Sequence, residues 1–269
     1  MTVKRNNKNL DALFREAKSG RVDLIVLDLS QFPWLNPQEL VRFKCLMELA
    51  RRAQITVQIK SPLDQNVARY IKRMGLVDFA AGATEMDSGR SFFPLYAVTG
   101  DDNSALFDEL KRVFDPEGPS VNWPVEVASA LTELVDNIFY HAGERPNTGW
   151  GYAQAQKLAN ARKICVGIAD VGVGYAASYR RTGQDRGRST RQIVEDSFKL
   201  QESSLNFPGK PPHRGIGLSL VKDFVNGFNG TMKLFTDNVC ARIIDGKLSV
   251  VDLDYDVCGS WIYLEIPIV

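Results

Sequence analysis

The chain has 269 residues, 44% hydrophobic and 24% charged, and its 33 Lys and Arg against 32 Asp and Glu leave a formal net charge of +1. That length suits one large domain or two ordinary ones, and the composition is that of a soluble globular protein. So small a charge gives no global attraction to nucleic acid or an anionic membrane, and no stretch approaches the ~18 apolar residues of a membrane span.

The N-terminus, MTVKRNNKNLDALF, is polar and lacks an apolar signal core. Leu24–Leu29 is a short apolar run that predicts a buried strand. Pro33 and Pro37 punctuate the loop that follows. From Gln38 to Ala53, Leu40, Phe43, Met47 and Ala50 keep helical spacing. Ile55–Ile59 alternates and is β-branched, which predicts a strand, and Val67, Ile71, Met74 and Leu76 mark a second helix broken at Gly75. None of the four cysteines, Cys45, Cys165, Cys240 and Cys258, forms a C-x-x-C pair, and only His141 and His213 could join them, so no zinc site is expected. Cys165 and Cys258 lie in strand-like apolar runs and read as buried thiols, which suits a reducing cytoplasm.

This first half resembles a STAS domain, the small α/β fold of anti-sigma-factor antagonists, over roughly residues 8–80. The resemblance rests on Leu-Asp-Leu-Ser (27–30), the helix after it, and Ala-Arg-Tyr-Ile-Lys-Arg-Met-Gly-Leu (68–76). Regulated members carry a phosphorylatable Ser at the start of the first helix. Here that segment is Asn36-Pro37-Gln38-Glu39, so phospho-regulation there is not expected. The same pattern also suits an α/β packing unit with no chemistry.

Residues 80–91 are small and polar and mark a linker. Phe92–Val98 predicts a strand, Ala105–Phe114 a helix, and Asp115–Pro119 a turn cluster. Val125–Tyr140 predicts a helix with Pro124 at its first turn. Glu133 and Asn137 stand four apart on it and share a face, with His141 four further on. A carboxylate can orient or deprotonate water, and an amide oxygen is a hard ligand for Mg²⁺. The same spacing also fits a solvated helix side, to which, or to a secondary polar contact, Asp136 is assigned, while His141 reads as a helix terminator or packing residue.

Lys163–Ala169 predicts a strand ended by Asp170, with Gly172 and Gly174 after it. Such glycines let a backbone approach a flat ring, and an ionised carboxylate can take the exocyclic amino hydrogens of adenine but not the carbonyl of guanine. Gly172-x-Gly174-x-x-Ala177 also satisfies a dinucleotide fingerprint, but the polar, arginine-rich SYRRTGQDRGRSTRQ that follows does not suit one. A plain turn is the third reading. Residues 175–214 hold Arg180, Arg181, Arg186, Arg188 and Arg191, a short helix at Ile193–Leu200, and the breaker run Phe207–Pro212. That is the composition of a lid, whose arginines could meet phosphate, a partner or water. Arg214-Gly215-Ile216-Gly217-Leu218 opens a helix whose free amides would suit phosphate. There is no G-x-x-x-x-G-K-[ST] loop. Strands are predicted at 231–235, 241–244, 248–253 and 260–266.

The three motifs in this order, followed by strands, resemble the GHKL (histidine kinase/gyrase-like) ATPase superfamily over roughly residues 95–269. The helix Glu133–Ala142 is closest to the anti-sigma-factor kinase branch. The resemblance implies ATP and Mg²⁺ as ligands, with Asn137 on the metal, Glu133 as candidate base, Asp170 as reader of adenine, Gly172 and Gly174 around the base, and Arg214, Gly215 and Gly217 at the phosphates. Ser260, in Gly259-Ser260-Trp261, stands where the family has a Gly-Thr turn. The expected fold is therefore α/β (an α+β sandwich). A STAS-like domain at 1–85 precedes a GHKL (Bergerat) domain at 86–269, with helices on one face of a mixed sheet. The expected function is an ATP-binding regulator of a protein partner in the cytoplasm, with a protein Ser/Thr kinase or slow ATPase as the alternative. A homodimer is allowed. Neither a membrane nor a nucleic-acid partner is expected, although the Arg180–Arg191 cluster offers a surface that would test the latter.

Overall fold

A computed structural model describes residues 7–30, 32–77, 91–99, 104–114, 125–143, 148–199 and 217–268. The chain opens with a helix absent from the sequence expectation, α1 (Asn7–Ser19), which buries Leu10, Leu13, Phe14 and Ala17 along one side. β1 (Leu24–Asp28), α2 (Pro37–Arg52) and β2 (Thr56–Lys60) form a strand–helix–strand unit, with β1 and β2 parallel and Leu24 opposite Thr56. The segment Asn36–Glu39 is a helix start. The Asn36 side chain accepts the Glu39 N–H, Glu39 accepts the Asn36 N–H, each at 2.9 Å, and Pro37 occupies the first turn. α3 (Gln65–Arg73) is capped by Asp64, which accepts the Asn66 N–H at 2.7 Å.

The remainder supplies β3 (Phe92–Val98), α4 (Ser104–Phe114), α5 (Val125–Asn137), β4 (Gly151–Leu158), β5 (Lys163–Asp170), α6 (Tyr175–Arg181), α7 (Thr190–Ser197), α8 (Gly217–Gly227), β6 (Thr231–Thr236), β7 (Val239–Ile244), β8 (Lys247–Asp252) and β9 (Ser260–Pro267). β4 and α6 were not anticipated. Nor was the end of α5, which widens into one π-helical turn, Ile138–Ala142. The molecule is thus of mixed α/β class. Its main sheet has seven strands in the order β3-β4-β5-β9-β6-β7-β8.

One expectation needs correction. Every neighbouring pair in that sheet is antiparallel, so it is not mixed; the parallel pairing lies in the separate β1–β2 sheet. The described helices α4, α5, α7 and α8 lie on one face of this sheet, and the other face, also apolar, is covered by α2 of the N-terminal segment. Ile164, Val166 and Ile168 of β5, with Ile262, Leu264 and Ile266 of β9 and Met232 and Leu234 of β6, pack under α4, α5, α7 and α8. The alternate residues Ala169, Trp261, Phe235 and Cys240 pack in a second cluster with Leu40, Val41, Cys45 and Leu46 of α2. The contact is close. A Cβ on Gly167 would lie 2.5 Å from the Pro37 backbone, and the Cys45 thiol donates to the Ala169 carbonyl at 3.4 Å. The expected boundary at 85/86, the linker 80–91 and the turn Asp115–Pro119 lie outside the described residues, apart from Ser91. No helix among the described residues is long and apolar enough to cross a membrane.

Candidate functional site

One end of the α5/α8 face of the sheet is polar. β5, β9 and β6 are neighbours, Ser260 pairs with Thr236 in register, and Asp170 lies one step beyond the Ala169–Trp261 pair, opposite Ser260. Asp170, Ser260 and Thr236 therefore form a row across three strands, all buried, at the edge of a face whose next row is Ile168, Ile262 and Leu234. These groups are buried, and the chain itself supplies most of their hydrogen-bond partners. Asp170 Oδ1 accepts from the Gly172 N–H at 2.7 Å and the Ser260 N–H at 3.2 Å. Its Oδ2 takes no hydrogen bond among the described residues. The Ser260 and Thr236 hydroxyls are 2.9 Å apart, and Thr236 Oγ1 also accepts the Tyr175 N–H at 3.1 Å.

Glycines make room for this arrangement. Gly259 has φ +76° and its missing Cβ would fall 2.3 Å from the Asp170 carbonyl oxygen. Gly172 lies against the π turn at the end of α5: a Cβ there would be 2.0 Å from the Ala142 oxygen, which accepts the Val173 N–H at 3.0 Å. The acidic turn and the Asn137 helix are thereby fastened together. Gly174, at φ +82°, starts α6 beside Asp237, whose carboxylate accepts the Ala176 N–H at 3.0 Å.

The other two motifs meet between helices. Gly217 begins α8, and a Cβ on it would lie 2.8 Å from Glu133 Oε2 and 3.7 Å from Asn137 Nδ2. Glu133 and Asn137 are half-buried. Arg214 and Gly215 lie outside the described residues, as do the breaker run Phe207–Pro212 and the His141 side chain. Tyr175 connects the groups, being within electrostatic range of both Asp170 and Glu133, and its buried hydroxyl makes no hydrogen bond among the described residues.

Burial dominates the electrostatics. It pushes the Asp170 carboxyl up to about 6, against the two backbone N–H groups and Lys18, which pull it down. Burial, then the neighbouring Asp136 carboxylate, raises Glu133, and burial raises Asp237. A carboxylate with one unused acceptor oxygen, a hydroxyl row and a carboxylate–amide pair at a helix start can receive a flat amino-bearing base at one end and an anion with its metal at the other. Among the described residues no three His, Cys, Asp or Glu side chains converge as a metal cage, so a cation here would take most of its ligands from phosphate and water.

Sequence reasoning missed Thr236, Tyr175 and Asp237. Thr236 ends an apolar strand and is followed by the turn pair Asp237-Asn238, but its place beside Ser260 depends on strand register. The lid arginines largely pair within the chain: Arg188 with Asp196 at 2.8 Å, Arg191 with Glu195 at 2.9 Å, and Arg181 with the Gly143 carbonyl at 2.5 Å. Cys165 and Cys258 are buried thiols, as read. Compared with protein-family models and with curated proteins, the chain matches none.

Proposed function

We propose that the chain is an ATP-binding regulatory protein of the GHKL type, fused to a STAS-like segment, whose Mg²⁺-nucleotide state controls a protein partner. The observation that carries the reading is the convergence of three sequence-distant motifs: Asp170 opposite Ser260, Gly172 seated on the end of the Asn137 helix, and Gly217 against Glu133 and Asn137. Asp170 Oδ2 would accept the adenine amino group, and guanine would present a carbonyl to the same oxygen. Asn137 would hold Mg²⁺, which neutralises phosphate charge when bound. The strand–helix–strand unit β1–α2–β2 is what supports the STAS-like part. Titration calorimetry with MgATP tests the reading: binding is expected, and Asn137→Ala should weaken MgATP more than metal-free ATP. No heat at about 1 mM nucleotide, where affinity corresponds to about −4 kcal/mol, would reject it.

A second reading, a protein Ser/Thr kinase or slow ATPase, draws on Glu133. Its carboxyl is raised by burial and by Asp136, and it sits at the start of α8, as a general base near the phosphates would. Phosphate release and transfer of labelled phosphate to protein should then fall at least ~100-fold in Glu133→Ala. Equal background rates in wild type and variant dispose of the enzyme and leave binding standing.

A further inference from the structure

The N-terminal helix reaches the very loops that hold Asp170. Asp11, Arg15 and Lys18 are spaced i, i+4 and i+7 on α1 and form one stripe. Asp11 Oδ1 accepts the Cys258 N–H at 3.3 Å and also an Arg42 N–H at 2.8 Å. Arg15 Nη1 donates to the Asp256 carbonyl at 2.5 Å. Lys18 Nζ donates to the Gly172 carbonyl at 3.1 Å. Apart from Arg42 on α2, these contacts go to two segments, the turn after Asp170 and the loop before Ser260. Those segments carry the Gly172 and Ser260 N–H groups that hold the Asp170 carboxylate.

The stripe is anchored from inside. Asp11 and Arg42 are both buried, and the Arg42 guanidinium lies 4.5 Å over the ring of Trp261, the residue after Ser260. The Arg15 and Lys18 contacts are exposed and weak singly. Beside them a cavity of about 520 Å³ opens between α1, α2 and the turn, lined among others by Lys18, Arg52, Trp150, Gly149 and Gly172. On its N-terminal-segment side the turn is held by these side chains and also by apolar burial, since Val171, Val257 and Cys258 belong to the same buried cluster as Leu13, Phe14 and Ala17 of α1.

We propose that α1 is a positioning helix for the nucleotide pocket: its Asp11–Arg15–Lys18 stripe sets the Gly172 turn and the loop before Ser260, and so couples docking of the N-terminal segment to adenine-nucleotide affinity. The proposal rests on the nucleotide reading above. Coupling of this kind is reciprocal: bound nucleotide tightens α1 as much as docked α1 tightens nucleotide. A partner that draws α1 away lowers nucleotide affinity, and nucleotide opposes that partner.

The test uses the full chain as wild type, Lys18→Arg, Lys18→Met and the double variant Arg15→Met/Lys18→Met. Neither residue is buried, so all should fold. MgADP affinity is measured by calorimetry and amide exchange by mass spectrometry. The double variant should lose at least about fivefold in MgADP affinity, the lower end of typical couplings, and Lys18→Arg, which keeps the donor, should retain it. Without nucleotide, exchange at residues 170–174 and 256–260 should quicken in the double variant while α5 is unchanged, and MgADP should slow exchange in α1 of the wild type. Wild-type affinity in the double variant overturns the coupling. If wild type does not bind MgADP, the nucleotide reading fails by itself. The exchange arm then decides the positioning role, unchanged exchange at residues 170–174 and 256–260 refuting it.

Discussion

Asp170 illustrates how a site conflicts with stability. Its carboxyl is buried, receives two N–H groups on one oxygen, and titrates near about 6 in the folded chain against an ordinary 3.8. Between those values the unfolded chain has released the proton while the folded chain still binds it. Stability therefore falls as pH rises through this window, by roughly 3 kcal/mol at most, and is level above it. Asp11, Glu133 and Asp237 shift the same way, so the contribution of Asp170 is the difference between wild type and Asp170→Asn. The variant keeps an acceptor for Gly172 and Ser260 and should match or exceed wild-type stability at pH 8 by urea unfolding. It should also bind adenine nucleotide at least ~10-fold more weakly, because the amide can turn a donor toward the base. Loss of both stability and binding would make Asp170 a structural residue. Tyr175 offers a second separation: Tyr175→Phe removes a buried hydroxyl that makes no hydrogen bond among the described residues, so the melting temperature should hold or rise, with a gain on the order of 1 kcal/mol. A clear drop would mean that the hydroxyl is satisfied in solution.

At the scale of elements, the strands with strong apolar alternation were legible: β5, β6 and β9 fall within a residue or so of their expected limits. β4 was not, because Gly151–Leu158 alternates Ala with Gln and carries little hydrophobic contrast. α6 was hidden behind a glycine turn and a run of arginines, and the π turn after Asn137 has no sequence signature. The motif residues were legible because each belongs to a chemical type in a fixed order. Thr236 was not, since only register places it in the row with Ser260 and Asp170. The docking of α2 had one readable sign: its buried positions, Leu40, Val41, Arg42, Phe43, Cys45 and Leu46, form a band too broad for a helix covered on one side. Gly167 tests that docking. Gly167→Ala puts a methyl into the Pro37 backbone and should cost about 1–3 kcal/mol, read as a lower urea midpoint at unchanged slope. A variant as stable as wild type would show that α2 sits less tightly than 2.5 Å implies.

For the whole molecule, the two apolar clusters share one sheet. Phe235, Cys240, Trp261 and Ala169 belong to the seven-stranded sheet yet complete the core of the N-terminal segment. Exposing them would leave a large apolar surface, so the two parts should unfold together. Tryptophan fluorescence, from Trp34, Trp123, Trp150 and Trp261, and far-ultraviolet dichroism should give a single coincident urea transition. Two separated transitions would mean that the segments are energetically independent and that α1 cannot transmit docking to the pocket. The side of the sheet that holds Asp170 and the side covered by α2 are alternate residues of the same strands, and in the proposed function this is how a nucleotide state would reach a partner surface.

The central claim is that Asp170, Ser260, Glu133, Asn137 and Gly217 bound one adenine-nucleotide pocket. Calorimetric titration of the intact chain with MgADP and, in parallel, MgGDP at pH 8 tests it most directly. The account predicts binding of the adenine nucleotide with the guanine nucleotide at least ~10-fold weaker, a difference of about 1.4 kcal/mol, and loss of that preference in Asp170→Asn. No heat with either nucleotide at about 1 mM, or equal affinity for both, would contradict it.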